Sequence, residues 1–113
     1  MKLKAINITV QDKMALWDKI LDILNALSNR PLTKKEKEIM IRVLVSNSKD
    51  PFYGTSRKLI KQDLEMKEQT FAMNKANIEE KGWCVNGELN PVLKGIKSKI
   101  ENNINIEINI NVV

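Results

Sequence analysis

The chain has 113 residues, 42% of them hydrophobic and 29% charged, and its 19 basic against 14 acidic side chains leave a formal net charge of +5. That length supports one hydrophobic core without room for a separate catalytic domain, and the apolar fraction excludes a disordered chain. With no histidine and one cysteine, the chain lacks the ligand sets of zinc fingers and metalloproteases and the base of a Ser-His or Cys-His pair.

Residues 3–10, LKAINITV, place Ile6, Ile8 and Val10 on one face, the alternation of a half-buried strand. Residues 11–29 change to helical spacing. Trp17, Ile20, Leu24 and Leu27 form one stripe, flanked by Leu16, Leu21 and Ile23, while Asp12, Asp18, Lys19 and Asp22 occupy the remaining arc. Asp12 is the expected N-cap, with its charge at the positive end of the helix dipole. Pro31 closes this region. Thr33-Lys34-Lys35-Glu36 has the form of a capping box, and Ile39, Met40, Val43 and Leu44, widened by Ile41 and Val45, mark the next helix as the most buried one. Residues 46–55, SNSKDPFYGT, read as a loop pinned to the core by Phe52 and Tyr53.

Ser56 or Thr55 is expected to cap a third helix with Leu59, Ile60 and Leu64 inward. A break at Glu65-Met66 separates it from a helix over 67–81, in which Phe71 and Ile78 point inward and Lys67, Gln69, Thr70, Met73, Asn74 and Asn77 fall on the outer side. Gly82 follows where a helix end needs a left-handed backbone. Trp83-Cys84-Val85 and Glu88-Leu89-Asn90 flank Asn86-Gly87, the pair that a type I′ hairpin turn favours. Cys84 is expected to be a small core residue rather than a redox thiol. Asn90 then caps a further helix with Pro91 at its first position, amphipathic through Val92, Leu93, Ile96 and Ile100 against Lys94, Lys97 and Lys99. Residues 104–112 alternate isoleucine with polar residues, a strand that can pair with 3–10 within one chain or with a second subunit.

The order helix, tight break, helix ending in Lys81-Gly82, then hairpin resembles the winged helix-turn-helix of small bacterial and phage regulators. In that pattern "R-K-x-I-x-x-x-L" precedes a polar helix and then "L-x-x-K-G"; here the positions read Arg57, Lys58, Ile60 and Leu64, then Ile78, Lys81 and Gly82. The run Glu88-Leu89-Asn90-Pro91-Val92-Leu93 is also similar to the strand-then-Asn-Pro exit from the wing in some phage and plasmid replication or regulatory proteins. The two matches cover roughly the central third of the chain. Lys75 departs from the pattern, standing where the family buries an aliphatic residue. The fold expected is thus mainly α with short β: a winged helix-turn-helix over 33–90, an N-terminal strand and helix over 1–32 for packing or oligomerisation, and a C-terminal helix and Ile-rich strand over 91–113.

What the resemblance implies is double-stranded DNA as partner. The second helix of the pair, 67–81, would enter the major groove, where Asn and Gln suit adenine, the Thr methyl suits thymine, and Lys67 and Met73 complete the base-contact set with Gln69, Thr70, Asn74 and Asn77. Thr55, Ser56, Arg57, Lys58 and Lys61 would hold phosphates. The hairpin tip is not basic, so the usual minor-groove arginine is absent. The lysine excess favours an anionic partner, and the joint richness in Lys, Asn and Ile points to an AT-rich source such as a phage, mobile element or low-GC bacterium. The four glycines make neither a phosphate-binding loop nor a dinucleotide fingerprint, so no cofactor, no metal and no enzymatic activity are expected. The opening Met1-Lys2-Leu3-Lys4 reads as an unprocessed, cytoplasmic N-terminus of a bacterial or phage-infected host cell, and no apolar run nears the roughly 18 residues of a membrane span. A transcriptional or replication regulator, homodimeric through its terminal strands and helix 11–29, is the leading expectation. The alternative is a virion structural or assembly protein that keeps a winged-helix body and uses its strands for subunit contacts.

Overall fold

The computed structural model describes residues 10–46 and 50–100, which form a mainly helical body with a small two-stranded antiparallel sheet. The strand expected over 104–112, most of the strand over 3–10, and their pairing lie outside the described residues. Val10, assigned to that first strand, instead opens helix α1 (Val10–Leu27). Asp12 is therefore not the N-cap but a first-turn residue, where its charge still faces the positive end of the dipole.

Along α1, Trp17 and Leu21 are buried, and Met14, Ile20 and Leu24 are half-buried against the same core. The stripe expected from the sequence is wider than the surface that receives it: Leu27 is 79% exposed and Ile23 62% exposed. The helix stops two residues short of its expected end, and Pro31 is not what stops it. Asn25 clamps the reversal instead, its Oδ1 accepting from the Leu32 backbone N–H at 3.0 Å and its Nδ2 donating to the Leu32 carbonyl at 3.4 Å.

Helix α2 (Lys34–Val45) starts at the capping box: Thr33 Oγ1 accepts from Glu36 N–H at 3.2 Å, and the Glu36 carboxylate accepts from Thr33 N–H at 2.9 Å. Ile39, Met40, Val43 and Leu44 are all buried, as their spacing requires of a central helix. Each such side chain contributes about 1.5–3 kcal/mol on burial, so α2 is the element on which the others depend. Lys37 Nζ reaches Asp18 and Asp22 of α1, each at 2.7 Å, and Glu36 reaches across to Lys81 Nζ at 2.6 Å. Trp17 from the first segment, Phe71 from the middle and Leu93 from the last share one core.

Helix α3 (Gly54–Asp63) is capped by neither Thr55 nor Ser56, which lie inside its first turn; Tyr53 occupies the N-cap, without a side-chain hydrogen bond. Phe52 pins the preceding loop as expected, at 1% exposure, but Tyr53 is 50% exposed. Ile60 is buried and Leu64 half-buried, whereas Leu59 turns outward at 59% exposure. One turn separates α3 from α4 (Glu68–Glu80), and both helices end the same way. Met66 N–H donates to the Lys61 carbonyl at 2.8 Å and Glu65 N–H to Gln62 at 3.1 Å; Trp83 N–H donates to Ile78 at 3.2 Å and Gly82 N–H to Glu79 at 3.0 Å. These are two Schellman closures, with left-handed residues Glu65 (φ 51°) and Gly82 (φ 84°).

The hairpin follows in the expected register, β1 (Cys84–Val85) against β2 (Glu88–Leu89), with Cys84 opposite Leu89 and both Asn86 and Gly87 at positive φ. Asn90 Oδ1 then accepts from Leu93 N–H at 2.8 Å and opens a fifth helix, α5, helical over 91–100, with Leu93 fully buried and Ile96 and Ile100 half-buried.

Candidate nucleic-acid interface

Two faces of the α3–turn–α4 unit carry the residues singled out from the sequence. Phe71 and Ile78 point inward from α4, both fully buried. Asn74 does too. It stands three residues after one and four before the other, on the same face of the helix, and is 6% exposed with its Nδ2 donating to the Thr70 carbonyl at 2.8 Å. Its assignment to the outer, base-reading side is corrected on that ground: the side chain is a helix-internal hydrogen-bonding group. Thr70 and Asn77 are half-buried at the edges of the outer face. Lys67, the N-cap of α4, is exposed, as are Gln69 and Met73. Gln69, Ala72, Met73, Ala76 and Asn77 make one continuous stripe at helical spacing, uncharged throughout until Glu80 closes it. Ala72 and Ala76 were not among the residues expected; their shortness leaves the backbone of α4 open to close approach.

The expected phosphate contacts separate into two groups. Thr55 and Lys58 are exposed, and Ser56 is half-buried beside Leu59 and Ile60. Arg57 and Lys61 are engaged within the protein. Arg57 Nε donates to Glu68 Oε1 at 3.2 Å and its Nη2 to Oε2, while Nη1 donates to the Phe52 carbonyl at 3.2 Å. The guanidinium also lies 4.7 Å from the Phe71 ring centroid. Lys61 Nζ donates to Glu68 Oε1 at 2.7 Å. Lys61 and Arg57 together hold the Glu68 carboxyl below the ordinary carboxylate range. That two cations one turn apart on α3 converge on Glu68 follows from the turn geometry.

The hairpin is tied to α4 by a carboxylate. Glu79 Oε2 accepts from Gly87 N–H at 3.1 Å and pairs with Lys75 at 3.3 Å. Lys75, where the resemblance expects an aliphatic residue, sets its ammonium 5.6 Å from the Phe52 centroid and 5.3 Å from that of Tyr53. Tyr53 lies against the hairpin turn, where a Cβ on Gly87 would come within 3.3 Å of its ring. The tip carries no cation, and Glu88 pairs with Lys94 at 3.2 Å.

Cys84 packs at full burial with its Sγ 3.8 Å from the Met40 Sδ, and burial pushes the thiol up to about 12, a core group rather than a nucleophile. Among the described residues no cluster of Cys, Asp and Glu is placed to hold a metal ion, and no helix is long and apolar enough to cross a membrane. No protein-family model, curated protein or solved structure matches this chain.

Proposed function

We propose that the chain is a winged helix-turn-helix DNA-binding protein, a transcriptional or replication regulator of the phage or mobile-element type, which lays α4 in the major groove. The observation that carries this reading is the outer stripe of α4, with Gln69, Ala72, Met73 and Ala76 exposed and Asn77 half-buried at its edge. Amide groups to bond base edges, methyl groups to meet thymine, small residues to permit close approach and no carboxylate until Glu80 are what a groove-reading surface needs. Exposed Lys67, the N-cap of α4, and exposed Lys58 on α3 add positive charge to the helix pair. The protein acts by binding, without cofactor or catalysis, in the cytoplasm of a bacterial or infected cell.

Self-association belongs to the same proposal. Ile23 (62% exposed), Leu27 (79%) and Val92 (60%) leave apolar surface beside an open groove of about 270 Å³ lined by Leu24, Trp83 and Leu93, and a second subunit would cover it. This same patch favours the second reading, a virion structural or assembly protein. The two readings part at DNA. A preferred duplex selected from a random pool should lose its advantage when Gln69 or Asn77 is replaced by alanine, by about 1–3 kcal/mol of discrimination per lost bidentate contact, with non-specific binding nearly intact. Asn74→Ala should leave selectivity unchanged. Equal weakening on every sequence, or no selectable duplex at all, would remove α4 as the reading element.

A further inference from the structure

Arg57 and Lys61 stand one helical turn apart on α3 and reach across the turn to one carboxylate, that of Glu68, the first residue of α4. The two cations and the anion are held very differently. The Arg57 guanidinium is fixed from behind by the Phe52 carbonyl and from one side by the Phe71 ring, so that its Nε/Nη2 edge is presented outward. Its side chain is 20% exposed and that of Lys61 22%, whereas that of Glu68 is 57% exposed. A planar fork set in place by the core, with an ammonium alongside, is a receptor for an oxyanion that offers two oxygens. The carboxylate that now fills it comes from the solvent side and is tethered only by its own flexible side chain.

We propose that Arg57 and Lys61 form an oxyanion seat for a nucleic-acid phosphodiester, and that Glu68 occupies this seat in the free protein and must be displaced before the phosphate can enter. The identity of the ligand as a duplex backbone rests on the DNA-binding reading; the seat itself rests on the geometry. Because Glu68 belongs to α4, its displacement is coupled to the placing of that helix in the groove. A random sequence, which offers phosphates alone, must break two ion pairs before a phosphate can reach the seat. A preferred sequence has base contacts to offset that cost. Glu68 thereby weakens binding to duplex that offers phosphates alone and keeps the seat closed on it.

The experiment compares the full chain with Glu68→Gln, which is nearly isosteric and exposed, and with Glu68→Ala as a second variant. Random-sequence duplex is titrated by fluorescence anisotropy at two salt concentrations, and inorganic phosphate is titrated in parallel while the Arg57 Nε–H resonance is followed by NMR. Both variants should bind random duplex about three- to tenfold more tightly, the equivalent of two exposed ion pairs no longer broken. The slope of log affinity against log salt should steepen by about 0.9 for the one additional phosphate that the open seat neutralises. Adding Arg57→Gln should cancel both changes. If the natural chain binds duplex and the Glu68 variants match it in affinity and slope, the seat is refuted while DNA binding stands. If no protein binds duplex but phosphate shifts the Arg57 resonance saturably in the variants, the oxyanion seat stands and the duplex as its ligand does not. Absence of both responses overturns the seat and the DNA reading together.

Discussion

Replacing Glu65 with glycine should stabilise the protein, although it deletes a charged side chain and makes no new interaction. Glu65 is the left-handed residue of the α3 closure, at φ 51°, and an L-residue there costs about 1–2 kcal/mol relative to the right-handed basin. Glycine removes that cost and adds back about 0.5–1 kcal/mol of extra backbone entropy lost on folding, leaving a net gain of about 0.5–1 kcal/mol. Gly82 holds the equivalent position at the end of α4, at φ 84°, and nothing lies within 4 Å of the Cβ that alanine would introduce there. Gly82→Ala should therefore lose a similar amount through the backbone alone, with no clash to confuse the comparison. Thermal unfolding followed by circular dichroism reads both: the midpoint should rise by about 2–8 °C in the first variant and fall by as much in the second. A glycine at 65 that is neutral or destabilising, beside an alanine at 82 that is destabilising, would refute a left-handed turn between α3 and α4 and with it the tight helix pair.

Two further outcomes test the core. Since burial pushes Cys84 from the ordinary thiol value of 9.0 up to about 12, the folded state keeps a proton that the unfolded chain gives up, and this contribution is complete below pH 9 and lost as pH rises towards 12. The stability advantage of the natural chain over Cys84→Ala should shrink by about 1.4 kcal/mol between pH 8 and pH 10 in urea titrations, and native Cys84 should resist alkylation until the protein unfolds. Lys81→Met should cost about 2–3 kcal/mol, because it strands the Glu36 carboxylate, 2% exposed, with the Thr33 N–H as its remaining hydrogen-bond partner. That figure lies below the 3–5 kcal/mol of a fully buried pair because the lysine itself is 22% exposed. A loss under 0.5 kcal/mol in the urea midpoint would mean that the pair does not join α2 to α4.

Elements closed by local chemistry were legible in the sequence. Thr33 with Glu36, Asn86-Gly87, Gly82, and Asn90 with Pro91 each satisfy orphan backbone groups or special φ values through near neighbours, so a short string of residues determines the outcome. Elements decided by a partner distant in sequence were not. Leu27 and Leu59 match an apolar stripe, yet no neighbouring element among the described residues reaches far enough to bury either. Asn25 stops α1 by bonding to Leu32, a pairing that no helix-end rule anticipates. Asn74 is legible too: its spacing from Phe71 and Ile78 puts it on the inner face, and only its polar residue type points outward. The pairings of Glu68 and Glu79 are not legible in the sequence because their partners are brought near only by the turn and the hairpin.

Fluorescence anisotropy of the full chain against its selected duplex, at several salt concentrations, tests the central proposal most directly. Arg57 and Lys61 on one phosphate and Lys58 on a second release counterions, and these two contacts predict a slope of log affinity against log salt near −1.8, about 0.9 for each. Saturable binding with that slope is expected, and replacing Lys58 by alanine should make the slope shallower by the share of one phosphate. Absence of saturable binding at tens of micromolar protein in low salt, or binding indifferent to salt, would contradict DNA as the partner.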